Sequence, residues 1–183
     1  MTALPQRVAA AILEGAARVL ATDGPSASMT DVAESAGVAR ATVYRYFPNR
    51  QTLLEELALM ALGETEDRLA SSRLDEVPVP EGLTRVIRAL VDVGDSFIVL
   101  ARERVRPDDF ERTVSAPVAR LFERGQKQGE IRDDLPIHWL TQTLLSVVVS
   151  VLTTVPKRGR EDTVAAITSL VLDGVTRRGP RLP

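Results

Sequence analysis

The chain has 183 residues, 44% of them hydrophobic, no cysteine and a formal net charge of −2. That length and apolar content suit one or two globular domains with a real core, and the missing cysteine excludes disulfides and thiolate chemistry and fits a reducing cytoplasm. With no global positive field, any attraction to nucleic acid must come from a local patch.

The N-terminal stretch is too interrupted for a secretory signal, because Glu14 and Arg18 break its apolar run. Residues 6–22 instead predict a first helix with Val8, Ile12, Ala16, Val19 and Leu20 as its apolar stripe. Asp23-Gly24-Pro25 ends it. Residues 29–36 predict a short second helix, with Thr30 as its cap and Val32, Ala33 and Ala36 on one face. Gly37 breaks the chain into a sharp turn, and Val38 plugs the corner. A third helix follows from Ala39 to Tyr46 or Phe47, with Val43 and Phe47 turned to the core, and Pro48 stops it. Asn49 can cap a fourth helix, predicted over residues 50–69, with Leu53, Leu54 and Leu57 buried.

Helix, glycine-centred turn and second helix form a helix-turn-helix, whose second helix normally enters the DNA major groove. From Val38 to Leu54 there are three arginines, Arg40, Arg45 and Arg50, and no acid. Both tyrosines of the chain, Tyr44 and Tyr46, lie in the same window, and their hydroxyls can bond phosphate oxygens. Thr42 is short enough for a phosphate or a thymine methyl. A helical hairpin that merely packs would not need this combination.

On these residues the chain resembles the tetracycline-repressor (TetR) family of transcriptional regulators. The likeness rests on Thr30 and Ala33 at the start of the second helix, the Ala36-Gly37-Val38 turn, and Thr42-Val43-Tyr44-Arg45-Tyr46-Phe47 as recognition helix. Arg50 stands where that family usually has lysine, followed by Leu53-Leu54. Two departures are Ala39 in place of a frequent serine, which removes a side-chain cap, and Ala41 in place of a frequent glycine. The resemblance covers about the first third of the chain. It implies a DNA-contacting set of Thr30, Arg40, Ala41, Thr42, Tyr44, Arg45, Tyr46 and Arg50, and a fourth helix that carries a ligand signal between two domains.

Beyond that helix, residues 71–82 are polar and carry Pro78, Pro80 and Gly82, which predicts a mobile loop. Residues 83–104 predict one long helix on the spacing of Leu83, Val86, Ile87, Leu90, Val93, Phe97 and Leu100. Arg102 to Arg106 is basic, and Pro107-Asp108-Asp109 marks a loop. A short helix with Phe110 follows, ending near Ser115, and then a helix with Val118, Leu121 and Phe122 that ends around Gly129. Residues 137–155 hold no charged side chain, yet His138, Gln142 and several serines and threonines make them a poor membrane span and a good helix buried between protein surfaces. A final helix is predicted over residues 163–176, followed by a frayed tail.

No catalytic constellation is present. His138 is the single histidine, and neither metal-ligand spacing nor a Gly-rich phosphate loop occurs, so no metal or cofactor is expected. The aromatics Phe97, Phe110, Phe122 and Trp139 are core fillers first, with an effector pocket as their functional reading. The 137–155 helix carries apolar residues on two sides, too many for one face in water. Together with the last helix it is expected to form a homodimer contact through Leu144, Val148, Val151, Val155, Ile167, Leu170, Val171 and Gly174.

The resulting expectation is an all-α protein of about nine helices. Residues 1–54 would form a three-helix DNA-binding domain and residues 55–183 a helical domain for ligand sensing and dimerisation. It would act in the cytoplasm as a homodimeric repressor of a palindromic operator in double-stranded DNA, released by a small-molecule effector whose identity the sequence does not name. A DNA-binding protein that senses nothing is the first rival, and a helical enzyme the second.

Overall fold

A computed structural model describes residues 3–103, 105, 108–154 and 159–176. The expected dimer residue Val155, the helix stop at Pro156, Arg104, Arg106 and Pro107 of the basic stretch, and the tail from Arg177 lie outside the described residues. Among those described the protein is all-α: α1 (Ala3–Asp23), α2 (Met29–Ser35), α3 (Arg40–Tyr46), α4 (Arg50–Ser71), α5 (Val79–Asp92), α6 (Gly94–Glu103), α7 (Ala116–Gln128), α8 (Ile137–Thr154) and α9 (Arg160–Val175). No helix among the described residues is long and apolar enough to cross a membrane.

The chain divides into two compact units. The first comprises Met1–Leu62 and Asp95–Pro107. The expected boundary at residues 54 and 55 therefore falls inside α4, which runs on unbroken. The reason is burial: Leu53, Leu54, Leu57, Ala58, Ala61 and Leu62 all leave water, so three turns of α4 belong to the first unit. They do so with Ile12, Ala16 and Leu20 of α1, Val32 and Ala33 of α2, Val43 of α3 and Phe47. α1 lies so close to the end of α2 that Gly15 has no room for a Cβ; one placed there would sit 2.9 Å from the Ala36 backbone nitrogen. From α6 the unit takes Phe97, Ile98, Val99 and Leu100, all buried.

The second unit comprises Gly63–Gly94 and Asp108–Pro183. α5 packs on α7, α8 and α9, α7 on α8, and α8 on α9. Its core holds Val79, Leu83, Val86, Ile87 and Leu90 of α5, with Val118, Leu121 and Phe122 of α7. Leu140, Leu144, Leu145 and Val148 of α8 and Val164, Ile167, Val171 and Val175 of α9 complete it.

Three sequence expectations change here. The single helix over residues 83–104 is two: α5 ends at Asp92, and Val93 leaves helical geometry at φ −98° and ψ 16°. The Asp92 carboxylate is almost wholly buried and accepts from Arg68 of α4, at 3.1 Å, and from Arg160 of α9. The expected mobile loop is short and tied down. α5 begins at Val79, with Pro80 in its first turn, where the missing N–H costs nothing. The Leu74 and Val77 carbonyls accept from Arg124 at 2.8 and 2.6 Å, and Ser72 O accepts from Arg85 at 2.6 Å. Finally, the expected short helix ending near Ser115 is a π-helix over Glu111–Ser115 that runs straight on into α7.

Candidate nucleic-acid interface

The cap of α2 is Ser28, not Thr30. The Ser28 hydroxyl accepts from the Thr30 and Asp31 backbone N–H groups, and the Asp31 carboxylate accepts from Ser28 N at 2.7 Å. This reciprocal capping box satisfies two otherwise orphaned donors. The Ser28 N–H and hydroxyl hold the Asp31 carboxyl below the usual carboxylate range. At the other end of α2, Gly37 takes φ +67°, a conformation that only glycine enters without steric cost. Gly37 N donates to Glu34 O at 3.1 Å and Val38 N to Ala33 O at 3.0 Å, closing a Schellman turn. These local bonds set the angle at which α3 leaves α2.

α3 is seven residues long and two-faced. Val43 is fully buried, and Phe47 next to its end is nearly so. Arg40, Ala41, Tyr44 and Arg45 are exposed, while Thr42 and Tyr46 are half-buried. Ala39 occupies the N-cap position and provides no side-chain acceptor. The Arg40 guanidinium lies 5.4 Å from the centre of the Tyr44 ring, and that of Arg45 lies 5.3 Å from the Tyr46 ring. Arg40 Nη2 also donates to the Tyr44 hydroxyl at 3.5 Å. Asn49 caps α4 as expected: its Oδ1 accepts from Thr52 N at 2.9 Å.

Arg50 behaves differently from the other two arginines. Its side chain is folded inward and donates to Ala27 O at 2.7 Å and to the Glu103 carboxylate at 2.6 Å. The window from Val38 to Leu54 is free of acids along the chain but not in space. No local signal could have found Glu103, which lies 53 residues further on. Ser28 and Asp31, by contrast, carry the spacing of a capping box and were legible.

The remaining candidates scatter. Phe97 is buried in α6 and Phe122 is fully buried in α7, whereas Trp139 is 59% exposed on α8. Phe110 is half-buried. None of the four borders a cleft of about 510 Å³ formed by Glu66, Leu69, Arg73, Asp75, Arg112 and Arg120. On the expected dimer face, Leu144, Val148, Ile167 and Val171 are buried within the protomer's own core. Leu170, 62% exposed, and Gly174 are on the surface, and Val151 is half-buried. The outer face of α8 and α9 is therefore carried by Trp139 and Leu170. Among the described residues no group of three or more His, Asp or Glu side chains could hold a metal ion.

Residues 12–57 match the family model described as bacterial regulatory proteins, tetR family. A stretch of 89 residues is 38% identical to the transcriptional repressor LfrR of Mycolicibacterium smegmatis, spanning 49% of this chain and 47% of that repressor. The repressor AcnR of Corynebacterium diphtheriae is 25% identical over 92% of both chains. In three dimensions the fold is similar to that of LfrR from Mycobacterium smegmatis in complex with proflavine, with a TM-score of 0.73 and 25% identity over 97% of this chain and 99% of that one.

Proposed function

Because this chain belongs to the tetR family of bacterial regulatory proteins, regulators and not enzymes, we propose that it binds a palindromic operator in double-stranded DNA as a homodimer and represses transcription in the cytoplasm until a small molecule releases it. One observation carries this reading: α3 holds Val43 in the core and turns Arg40, Tyr44 and Arg45 outward, with no carboxylate on the helix. Such a surface is built to sit against phosphates. In this reading Arg45 and the Tyr44 hydroxyl hold backbone phosphates, and Arg40 and Thr42 read base edges. Ala41 carries a Cβ where the family often has glycine, which narrows the approach to the DNA backbone. Tyr46 adds a further hydroxyl, and Thr30 offers one near the start of α2.

Dimerisation supplies the second half-site. One short recognition helix reads only a few base pairs, while a twofold pair places two helices about 34 Å apart in successive major grooves. The surface for it is the outer face of α8 and α9, where Trp139 and Leu170 stand in water in the single protomer. Large exposed apolar side chains on adjacent helices favour association. The effector reading is supported by LfrR, whose structure was solved in complex with proflavine. A ligand can weaken DNA binding only by preferring a conformation that binds DNA poorly, and operator DNA must then weaken ligand binding by the same factor.

The direct test is genome-wide mapping of bound DNA, followed by anisotropy titrations on the recovered sites. Arg45→Ala should weaken binding to all sequences and reduce the slope of log K against log salt by about one unit. Unchanged affinity and slope would show that α3 does not dock this way.

A further inference from the structure

The three arginines of the helix-turn-helix window have unequal surroundings. Arg40 and Arg45 are exposed and lie beside tyrosine rings. Arg50 is half-buried and bonded through both arms, one to the Ala27 carbonyl just before α2 and one to the Glu103 carboxylate at the end of α6. The pair is partly withdrawn from water, with side-chain exposures of 32% for Arg50 and 21% for Glu103. Partial burial strengthens a charge pair relative to one in open solvent. Arg50 is also the first residue of α4, next to the N–H groups that a helix start leaves without intrahelical partners. A phosphate approaching this end of the helix meets a cation already neutralised by a carboxylate.

We infer that Glu103 is a positioning residue that withholds Arg50 from the DNA backbone, so that the pair acts as a built-in brake on DNA affinity. This rests on the DNA-binding reading above and adds to it a residue outside the helix-turn-helix. The argument is one of charge. Salt-sensitive affinity counts the phosphates that a protein neutralises. An arginine paired with a carboxylate has no net charge to offer and displaces no counterion. Freed from Glu103, the same guanidinium can hold a phosphate with two parallel hydrogen bonds. The end of α6 therefore sets how much of the fourth helix's positive charge reaches DNA.

Phosphate contacts do not depend on sequence, so a labelled duplex of mixed sequence, about 30 base pairs or roughly three helical turns, is a sufficient probe. Anisotropy titrations of the full chain run from roughly 50 to 200 mM salt. Glu103→Gln is expected to bind more tightly at low salt and to steepen the slope by about 0.9, an extra loss of about 3.5-fold across that fourfold rise in salt. Glu103→Asp keeps the charge but draws it back from Arg50, and should move the slope the same way by a smaller amount. In an Arg50→Gln background, Glu103→Gln should change nothing.

An unchanged slope and affinity in Glu103→Gln overturns the inference. So does a gain that persists in the Arg50→Gln background, or one absent from Glu103→Asp, since either would be a general field effect. If Glu103→Gln fails to fold, the Glu103→Asp slope alone decides between these outcomes. Wild-type protein that neither binds duplex DNA nor responds to Arg45→Ala would instead overturn the DNA-binding reading.

Discussion

Two glycines in helices give a matched pair of perturbations. Gly15 lies in α1, where an added Cβ would meet the Ala36 nitrogen at 2.9 Å and the Ala36 Cα and Cβ at 3.1 Å. The obstacle is mostly backbone, held by the Schellman turn at Gly37, and no rotamer change can clear it. Gly63 lies in α4 with nothing within 4 Å of the same added atom. Replacing a helix-interior glycine with alanine returns up to about 1 kcal/mol from propensity alone. Gly63→Ala should therefore stabilise the protein by about 0.5–1 kcal/mol. Gly15→Ala gains the same term but carries an overpacking cost of about 1–3 kcal/mol, and ends up to about 2 kcal/mol less stable than wild type. For a chain of this size that is a fall of up to about 4–8 °C in Tm, against a rise of about 1–4 °C for Gly63→Ala. Thermal melts followed by circular dichroism measure both. Equal stability of the two variants would show that α1 and α2 separate freely, and that the close approach is no constraint on the domain.

The capping box and the outer helices yield two further tests. Ser28→Ala should cost about 1 kcal/mol, seen as a lower urea midpoint. Because Ser28 depresses the Asp31 pKa in the folded state, this bond's contribution is fully present above the ordinary aspartate range and is lost as pH falls through the lowered folded value. Ser28→Ala keeps the Ser28 N–H bond to Asp31 and loses only the hydroxyl's. The gap between wild type and variant should therefore narrow on acidification by the hydroxyl–Asp31 share, while the share from the cap bonds to the Thr30 and Asp31 N–H groups persists. A gap that stays constant down to strong acid would remove the hydroxyl–Asp31 bond from the account. Leu170→Glu places a charge on the outer face of α9 without touching the core, so it should yield folded monomers with weak operator binding. Sedimentation equilibrium that finds the same mass for wild type and variant would move the dimer contact elsewhere.

What could be read from the chain was what is local. The α2 turn and the α3 faces follow from Gly37, Val43 and Phe47, all within a few residues of the bonds they make. The caps at Ser28 and Asn49 are local as well. The α5–α6 break was hidden because apolar spacing continues through Val93. Asp92, the last residue of α5, is bonded to a pair of arginines, one 24 residues before it and the other 68 after it. α8 misled for a different reason. With apolar residues on two sides, its composition does not say which side is inward. The structure buries Leu144 and Val148 and exposes Trp139, a bulky aromatic that composition would send to the core. The Arg50–Glu103 pair is non-local in the same way.

The Asp92 clamp also bears on synthesis. Arg68 leaves the ribosome before Asp92, but Arg160 follows 68 residues later, about 3–14 s at ordinary elongation rates of 5–20 residues per second. Throughout that interval the nascent second unit holds a carboxylate with half its partners, and the face of α5 that will receive α9 is bare. The first unit waits only for α6, whose Glu103 follows Arg50 by 53 residues. The protein is thus made in a fixed order, with its helix-turn-helix end assembled first. Its second unit stays open to chaperones, proteases and neighbouring nascent chains until the last described helix docks.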